Sequence, residues 1–217
     1  MVSLKIPSIA TRLFWSILSY TWDVKISHES IEQCLHIVNS YSQIPGELLD
    51  LGCGTGQYSL SFAEKKWRVT GIDYSKKMLK HAKAKASVTD SKISFNWADL
   101  NKPLPFSSNT FDCVICISVL QCLLNPFDLF PEINRVLRSG GILFILVKSE
   151  PGKENFLDGA TILSKLMLKI KSIVSSPRFL NSFQLSELTN ALMTNQFVVQ
   201  EAVEQKNWLR VVARILK

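Results

Sequence analysis

Apolar positions in the middle of the chain fall into short runs of strand length, separated by segments of helical character. The first run, "GELLDLG", stops at a glycine loop, and "TGQYSLSFAEKK" after it reads as a helix. "WRVTGID" is a second strand. Ser75 then stands as N-cap ahead of "KKMLKHAKAKA", a run of good helix formers. "KISFNWAD" is a third strand, and "NKPLPFSSNT" a turn-rich loop. "FDCVICISVL" is the fourth strand, "FDLFPEINRVL" a helix despite Pro131, and "SGGILFILVK" a glycine turn leading into a fifth strand.

Such alternation means parallel strands joined by right-handed crossovers. The pattern changes towards the end. "QLSELTNALMTNQ" is a helix with Ser182 as candidate cap. "FVVQEAVE" and "WLRVVARIL" are strand-like, and the "QKN" between them is too short for a crossover, so they form a hairpin. The fold expected is α/β: a doubly wound, Rossmann-like seven-stranded sheet, mostly parallel, with an antiparallel C-terminal hairpin and helices on both faces. A single domain spans 1–217. Within it, 1–44 is a helical N-terminal lid, 45–149 the binding core, 150–182 a helical cap insertion, and 183–217 the last helix and hairpin.

Composition narrows this picture. A chain of 217 residues with 47% hydrophobic and 20% charged residues fills one core, and long disorder is not expected. The N-terminus mixes polar and basic residues through its apolar ones and carries no secretory signal. No apolar run reaches the roughly 18–20 residues that span a bilayer. The chain therefore reads as cytoplasmic. Of its five cysteines, Cys113 and Cys116 have C-x-x-C spacing, yet they lie on a strand. Residues three apart on a strand point to opposite faces, so the two thiols do not close on one metal, and no metal is expected. The net charge of +7 is a mild bias towards anions. Without a basic run interleaved with aromatics, no nucleic-acid partner is expected.

Candidate chemistry starts at "LLDLGCGTGQYSL". A dinucleotide fold needs G-x-G-x-x-G, whereas Gly52, Gly54 and Gly56 give G-x-G-x-G. Asp50 at the lip of this loop would repel a diphosphate. It suits a ligand that is positively charged there, such as S-adenosyl-L-methionine, with its ammonium and sulfonium. Asp73 ends strand two, where a carboxylate accepts ribose hydroxyls. Asp99 ends strand three, where it accepts an adenine amine. These acids stand at the carboxyl ends of successive strands, the edge that binds ligands in open α/β sheets. An NAD-type oxidoreductase is opposed by Asp50 and by the glycine spacing.

The segments "LLDLGCGTG", "VTGIDYSKKMLKHAKAK", "FNWADLNKPLPFSSNTFDCVICISVLQCL" and "EINRVLRSGGILFI" resemble the class I S-adenosylmethionine-dependent methyltransferases of the type 11 group. The resemblance is close over roughly residues 45–148. It implies that Asp50, Gly52, Cys53 and Gly54 line the methionine portion of the cofactor. It implies that Asp73 holds the ribose, with Tyr74 and Met78 packing near the adenosine, and that Asp99 and Leu100 clasp the adenine. Ile117 and Ser118 then border the transferred methyl. Tyr20 and Trp22 resemble an N-terminal aromatic segment that folds over the cofactor. The product would be S-adenosyl-L-homocysteine.

Methyl transfer from a sulfonium is an in-line displacement in which the protein positions the partners and excludes water. Many relatives carry a His after strand four. Here "SVLQCLLN" offers Gln121, which can orient an acceptor but cannot take its proton, and Cys122, which reads as inert. His28, His36 and His81 read as helix positions away from that edge. No catalytic base is identified. The expected function is methyl transfer to a small molecule by proximity and orientation. The alternatives are a non-catalytic cofactor-binding regulator and an enzyme acting on a lipid-like substrate. The latter would use the basic amphipathic stretch 161–175 for peripheral membrane contact. The sequence is silent on oligomeric state.

Overall fold

The computed structural model describes residues 26–42, 44–89, 92–149 and 181–217. The elements are α1 (His28–Tyr41), β1 (Glu47–Leu51), α2 (Gln57–Glu64), β2 (Arg68–Asp73), α3 (Lys76–Ala86) and β3 (Ile93–Trp97). They continue with β4 (Phe111–Ile117), α4 (Leu129–Val136), β5 (Leu137–Lys148), α5 (Leu185–Thr194), β6 (Phe197–Gln205) and β7 (Trp208–Ile215). Two 3₁₀ turns, Leu120–Cys122 and Pro126–Asp128, lie between β4 and α4.

The strands form one seven-stranded sheet in the order β3-β2-β1-β4-β5-β7-β6. Pairing is parallel from β3 to β5. β7 runs antiparallel to both β5 and β6. The doubly wound sheet with a terminal hairpin is thus the observed fold. Lys206 and Asn207 turn the hairpin, both at positive φ (47° and 63°), the backbone that matches strand twist in a two-residue turn.

Side-chain parity assigns the two faces. Leu49, Leu51, Val114 and Cys116 join one core cluster with Phe130 and Ile133 of α4 and Leu188 and Leu192 of α5. Leu48, Cys113, Ile115 and Phe144 join the other, with Cys34 and Val38 of α1 and Phe62 of α2. Cys113 and Cys116 therefore point into different cores, as their spacing on a strand requires. α3 packs through Leu79 and Ala82 on Phe95 of β3.

Ser75 is the N-cap of α3, its hydroxyl accepting from the Met78 N–H at 3.3 Å. Pro131 sits in the first turn of α4, where its missing N–H has no intrahelical partner to lose. Four local expectations are corrected. Gln184, not Ser182, is the N-cap of α5. Gly140 and Gly141 lie inside β5, which starts earlier because Leu137 pairs with Phe111 before the register shifts. β4 stops at Ile117, since Ser118 adopts a left-handed φ of 58°. Asp99 stands two residues beyond the end of β3.

Candidate functional site

A cavity of about 700 Å³ opens at the carboxyl ends of the strands, within the range of about 300–1,000 Å³ usual for ligand sites. Asp50, Gly52, Cys53, Gly54, Asp73, Tyr74, Met78, Asp99, Leu100, Ile117 and Ser118 all line it, and so does Gln121. Tyr20 and Trp22, and the stretch 161–175, lie outside the described residues.

Parity explains Asp50. It shares a face of β1 with Leu48, so it points towards α1 and α2 rather than standing at the lip of the loop. It is only 3% exposed. The hydroxyl of Ser59, on α2, donates to its Oδ2 at 2.5 Å. Burial pushes its carboxyl up to about 7; Ser59 opposes the shift and nearby Asp73 adds to it. A carboxyl held this way gains from a cation placed against it.

Asp73 is fixed by backbone. Gly54 N–H donates to its Oδ2 at 2.9 Å and Ser75 N–H to its Oδ1 at 2.7 Å. Burial raises its carboxyl to about 6, against the pull of these two donors. Asp99 Oδ1 accepts from the Asn101 N–H and side-chain amide, both at 3.0 Å, which folds the loop after β3 into a turn.

The glycine spacing has a steric cause. Gly52 has φ +67°, and a Cβ there would lie 2.4 Å from Val119 Cγ2. The loop after β1 and the loop after β4 thus meet without a side chain between them. At Gly56, φ +81°, a Cβ would meet Phe95 Cζ at 2.7 Å. Glycine is the residue that fits such positions.

Beyond this cradle lies Gln121, 1% exposed, with neither side-chain polar atom hydrogen-bonded. A buried amide without partners is costly, and here it lines a cavity. Burial raises the thiols of Cys34 and Cys53 well above their usual range, and Cys122 up to about 12, so these cysteines stay protonated. None of the three histidines lines the cavity. His28 and His36 are exposed on α1, and His81 is half-buried on α3.

Sequence reasoning missed Ser59, the α1 residues Glu29, Ser30 and Gln33, and the wall built by Lys148, Gln205, Trp208 and Arg210. A polar residue on the first turns of the helix after the glycine loop was the available signal for Ser59. The wall required the β5–β7 pairing.

A doubly wound sheet with three acids at its edge and a glycine cradle defines a nucleoside-binding α/β protein, and its buried carboxylates and tight loop fit a cationic, phosphate-free ligand. The family model "Methyltransferase domain" matches residues 49–145, the span that builds this cradle. Over these residues the chain is similar to methyltransferase domains. It is 35% identical over 131 residues to the YqeM protein of Bacillus subtilis (strain 168), covering 59% of this chain and 53% of that protein. It is 28% identical over 139 residues to a demethylmenaquinone methyltransferase of Staphylococcus epidermidis, covering 62% and 57%. The chain thus spans about half the length of the curated relatives it matches. The fold is also that of Haemonchus contortus phosphoethanolamine N-methyltransferase 2 in complex with S-adenosyl-L-methionine. That likeness has a TM-score of 0.75 and 18% identity, and covers 100% of this chain and 61% of the other.

Proposed function

We propose that this protein transfers the methyl group of S-adenosyl-L-methionine to a small molecule held in the same cavity. The observation that carries the reading is Asp73, whose two oxygens are locked by Gly54 and Ser75 beside buried Asp50. When bound, the cofactor supplies an electrophilic methyl on a sulfonium. Asp50, Gly52, Cys53 and Gly54 would hold its methionine portion. Asp73 would accept the ribose hydroxyls, Tyr74 and Met78 would flank the adenosine, and Asp99 and Leu100 would receive the adenine. Ile117 and Ser118, which line the cavity at the end of β4, would border the methyl.

Gln121 orients the acceptor by offering a carbonyl and an amide that have no partner within the fold. It takes no proton, and the cavity cysteines are held as thiols by burial. Rate enhancement then comes from alignment and exclusion of water. An acceptor already nucleophilic at neutral pH fits this wall. The size of the cavity, and a relative named for demethylmenaquinone, support a small molecule. α1 acts as part of a lid, since its residues Glu29, Ser30 and Gln33 border the cavity, with Ile26 just before it.

Thermal unfolding with S-adenosyl-L-homocysteine, S-adenosyl-L-methionine and NAD in parallel tests the cofactor. A ligand at 100 times its Kd stabilises the fold by about 2.7 kcal/mol. Stabilisation by the adenosyl-sulfur ligands and not by NAD is expected. Methyl transfer is then read as S-adenosylhomocysteine formed with an acceptor library. A cofactor that binds without turnover on any acceptor would favour a regulator instead.

A further inference from the structure

The positive charge of the chain is gathered in one stretch. Nine of its 25 Lys and Arg fall between Lys65 and Lys92, with two of its 18 acids, Asp73 and Asp90. The rest of the chain carries 16 of each sign, so this stretch holds the whole net charge of +7. Asp73 lines the cavity. α3 stands at the centre of the stretch, with Lys76, Lys77, Lys80, Lys83 and Lys85 and no acid. It packs on β3, the strand at one edge of the sheet.

Spacing sorts these lysines. Lys76, Lys80 and Lys83, four and three residues apart, share one exposed stripe about 10 Å long, away from the buried Met78, Leu79 and Ala82. Lys92, just before β3, is exposed as well. None of these four forms an ion pair among the described residues. Other cations of the stretch are engaged: Lys85 Nζ donates to the Thr55 carbonyl at 3.0 Å, and Arg68 pairs with Glu47. The stripe works against its own helix. Lysine in the first turn opposes the helix dipole, and like charges four residues apart, as at Lys76 and Lys80, repel. No carboxylate stands in that turn to offset them. Local rules broken without a packing gain point to a functional constraint.

Two exposed apolar side chains frame the stripe. Trp97, 51% exposed, ends β3 and donates from Nε1 to the carbonyl of Tyr74, two residues before Lys76, at 2.8 Å. Val88, 85% exposed, follows the C-terminal end of α3. Indole rings, apolar with one polar tip, favour the interface between lipid and water. We propose that the α3 face is a docking surface for an anionic lipid bilayer, with Lys76, Lys80 and Lys83 against its headgroups and Trp97 at the interface. A helix face is convex, and this one offers lysine point charges. A nucleic-acid strand is instead tracked by a basic groove and by planar arginine forks. The stripe begins at the cavity, because Tyr74 and Ser75, which precede Lys76, both line it. Docking therefore sets the cavity rim beside the headgroups. The surface stands on charge and exposure alone and does not depend on the methyl-transfer reading.

The test is co-sedimentation of the whole chain with vesicles at about 0.1 M salt, where charges act over about 10 Å. One set is phosphatidylcholine alone, and the other contains about one-third phosphatidylserine. Binding to the anionic set should be roughly tenfold or more stronger than to the neutral set, and lost at about 1 M salt. The triple variant Lys76→Gln, Lys80→Gln, Lys83→Gln should weaken it on the order of a hundredfold, from about 1 kcal/mol for each lysine near the surface. Glutamine suits a helix about as well as lysine, so the melting temperature should hold or rise. If that triple fails to fold, the single variants, each losing about fivefold, carry the same comparison. A second triple, Lys165→Gln, Lys169→Gln, Lys171→Gln, removes equal charge from the other basic stretch and should keep most of the binding. Equal binding of both vesicle sets by the wild-type protein, or no binding, overturns the proposal. So does a second triple that loses as much as the α3 triple. Labelled duplex and single-stranded oligonucleotides run in parallel. Binding to them that needs the α3 lysines, without vesicle binding, assigns this face to nucleic acid and overturns the proposal too.

Discussion

The backbone N–H of Gly54 donates to Asp73 Oδ2 at 2.9 Å, tying the loop after β1 to the last residue of β2. The other carboxylate oxygen accepts from Ser75 N–H. The same side chain thus shapes the glycine cradle and presents its remaining lone pairs to the cavity.

Asp73→Ala should weaken S-adenosylhomocysteine binding by about 1.5–3 kcal/mol or more, the range for hydrogen bonds to a charged group. Asp73→Asn should weaken it as well, because an amide offers one acceptor oxygen to two backbone donors. Calorimetric titration checks both, with circular dichroism confirming a retained fold. An asparagine variant of wild-type affinity would show that the carboxylate does not face the ligand.

Gly52 and Val119 come from loops far apart in sequence and meet where a Cβ would sit 2.4 Å from Val119 Cγ2. Gly52→Ala adds a left-handed backbone cost of roughly 1–2 kcal/mol to an overpacking cost of about 1–3 kcal/mol. Denaturant unfolding should show destabilisation of about 2–5 kcal/mol. Val119→Ala in the same chain should recover the steric share but not the backbone share. A double-mutant cycle with no coupling would show that the two loops do not press on each other.

The strand and helix alternation, the hairpin and the Ser75 cap were legible because they rest on local signals: strand-length runs, a two-residue turn, a hydroxyl ahead of helix formers. The three acids that line the cavity were legible because each stands close to a strand end. Other features depended on pairing across the sheet. Lys148 meets Trp208 only through the β5–β7 register, a relation no short window contains. Ser59 reaches Asp50 because strand parity turns that carboxylate under the loop, which the phrase "strand end" could not convey. Gly140 and Gly141 read as a turn by composition, yet tertiary pairing of Leu137 with Phe111 draws them into β5. Ser182 has the right chemistry for a cap but stands two residues before Gln184, the residue that occupies that position.

Binding and stability should respond to pH in opposite directions. Burial raises the Asp50 carboxyl from 3.8 to about 7, so the folded protein keeps a proton that the unfolded chain releases above about pH 4. Unliganded stability should therefore fall as pH rises from about 4 to 7, by on the order of 4 kcal/mol at about 1.4 kcal/mol per pH unit. Asp50→Asn, which can still accept from Ser59, should flatten this slope. A cationic ligand favours the ionised carboxylate, so S-adenosylmethionine affinity should instead weaken as pH falls through about 7. Titrations near pH 6.5 in buffers of different ionisation enthalpy should show proton release on binding. Unchanged stability slopes in Asp50→Asn would assign the pH dependence to other groups.

Gln121 separates stability from function. Its side-chain amide is buried without a hydrogen-bond partner, and leaving such a group unsatisfied costs about 1–3 kcal/mol. Gln121→Met keeps the length of the side chain and removes the unpaired atoms, so the melting temperature of the unliganded protein should hold or rise. S-Adenosylhomocysteine affinity should stay within a few-fold, because the residue lies beyond the cradle. Turnover with an acceptor found in the library should fall, chiefly through KM if the amide only holds the acceptor and through kcat if it aligns the nucleophile with the methyl. A variant that lost stability would mean that the amide is satisfied within the fold. One that gained stability with full turnover would mean that the acceptor never meets it.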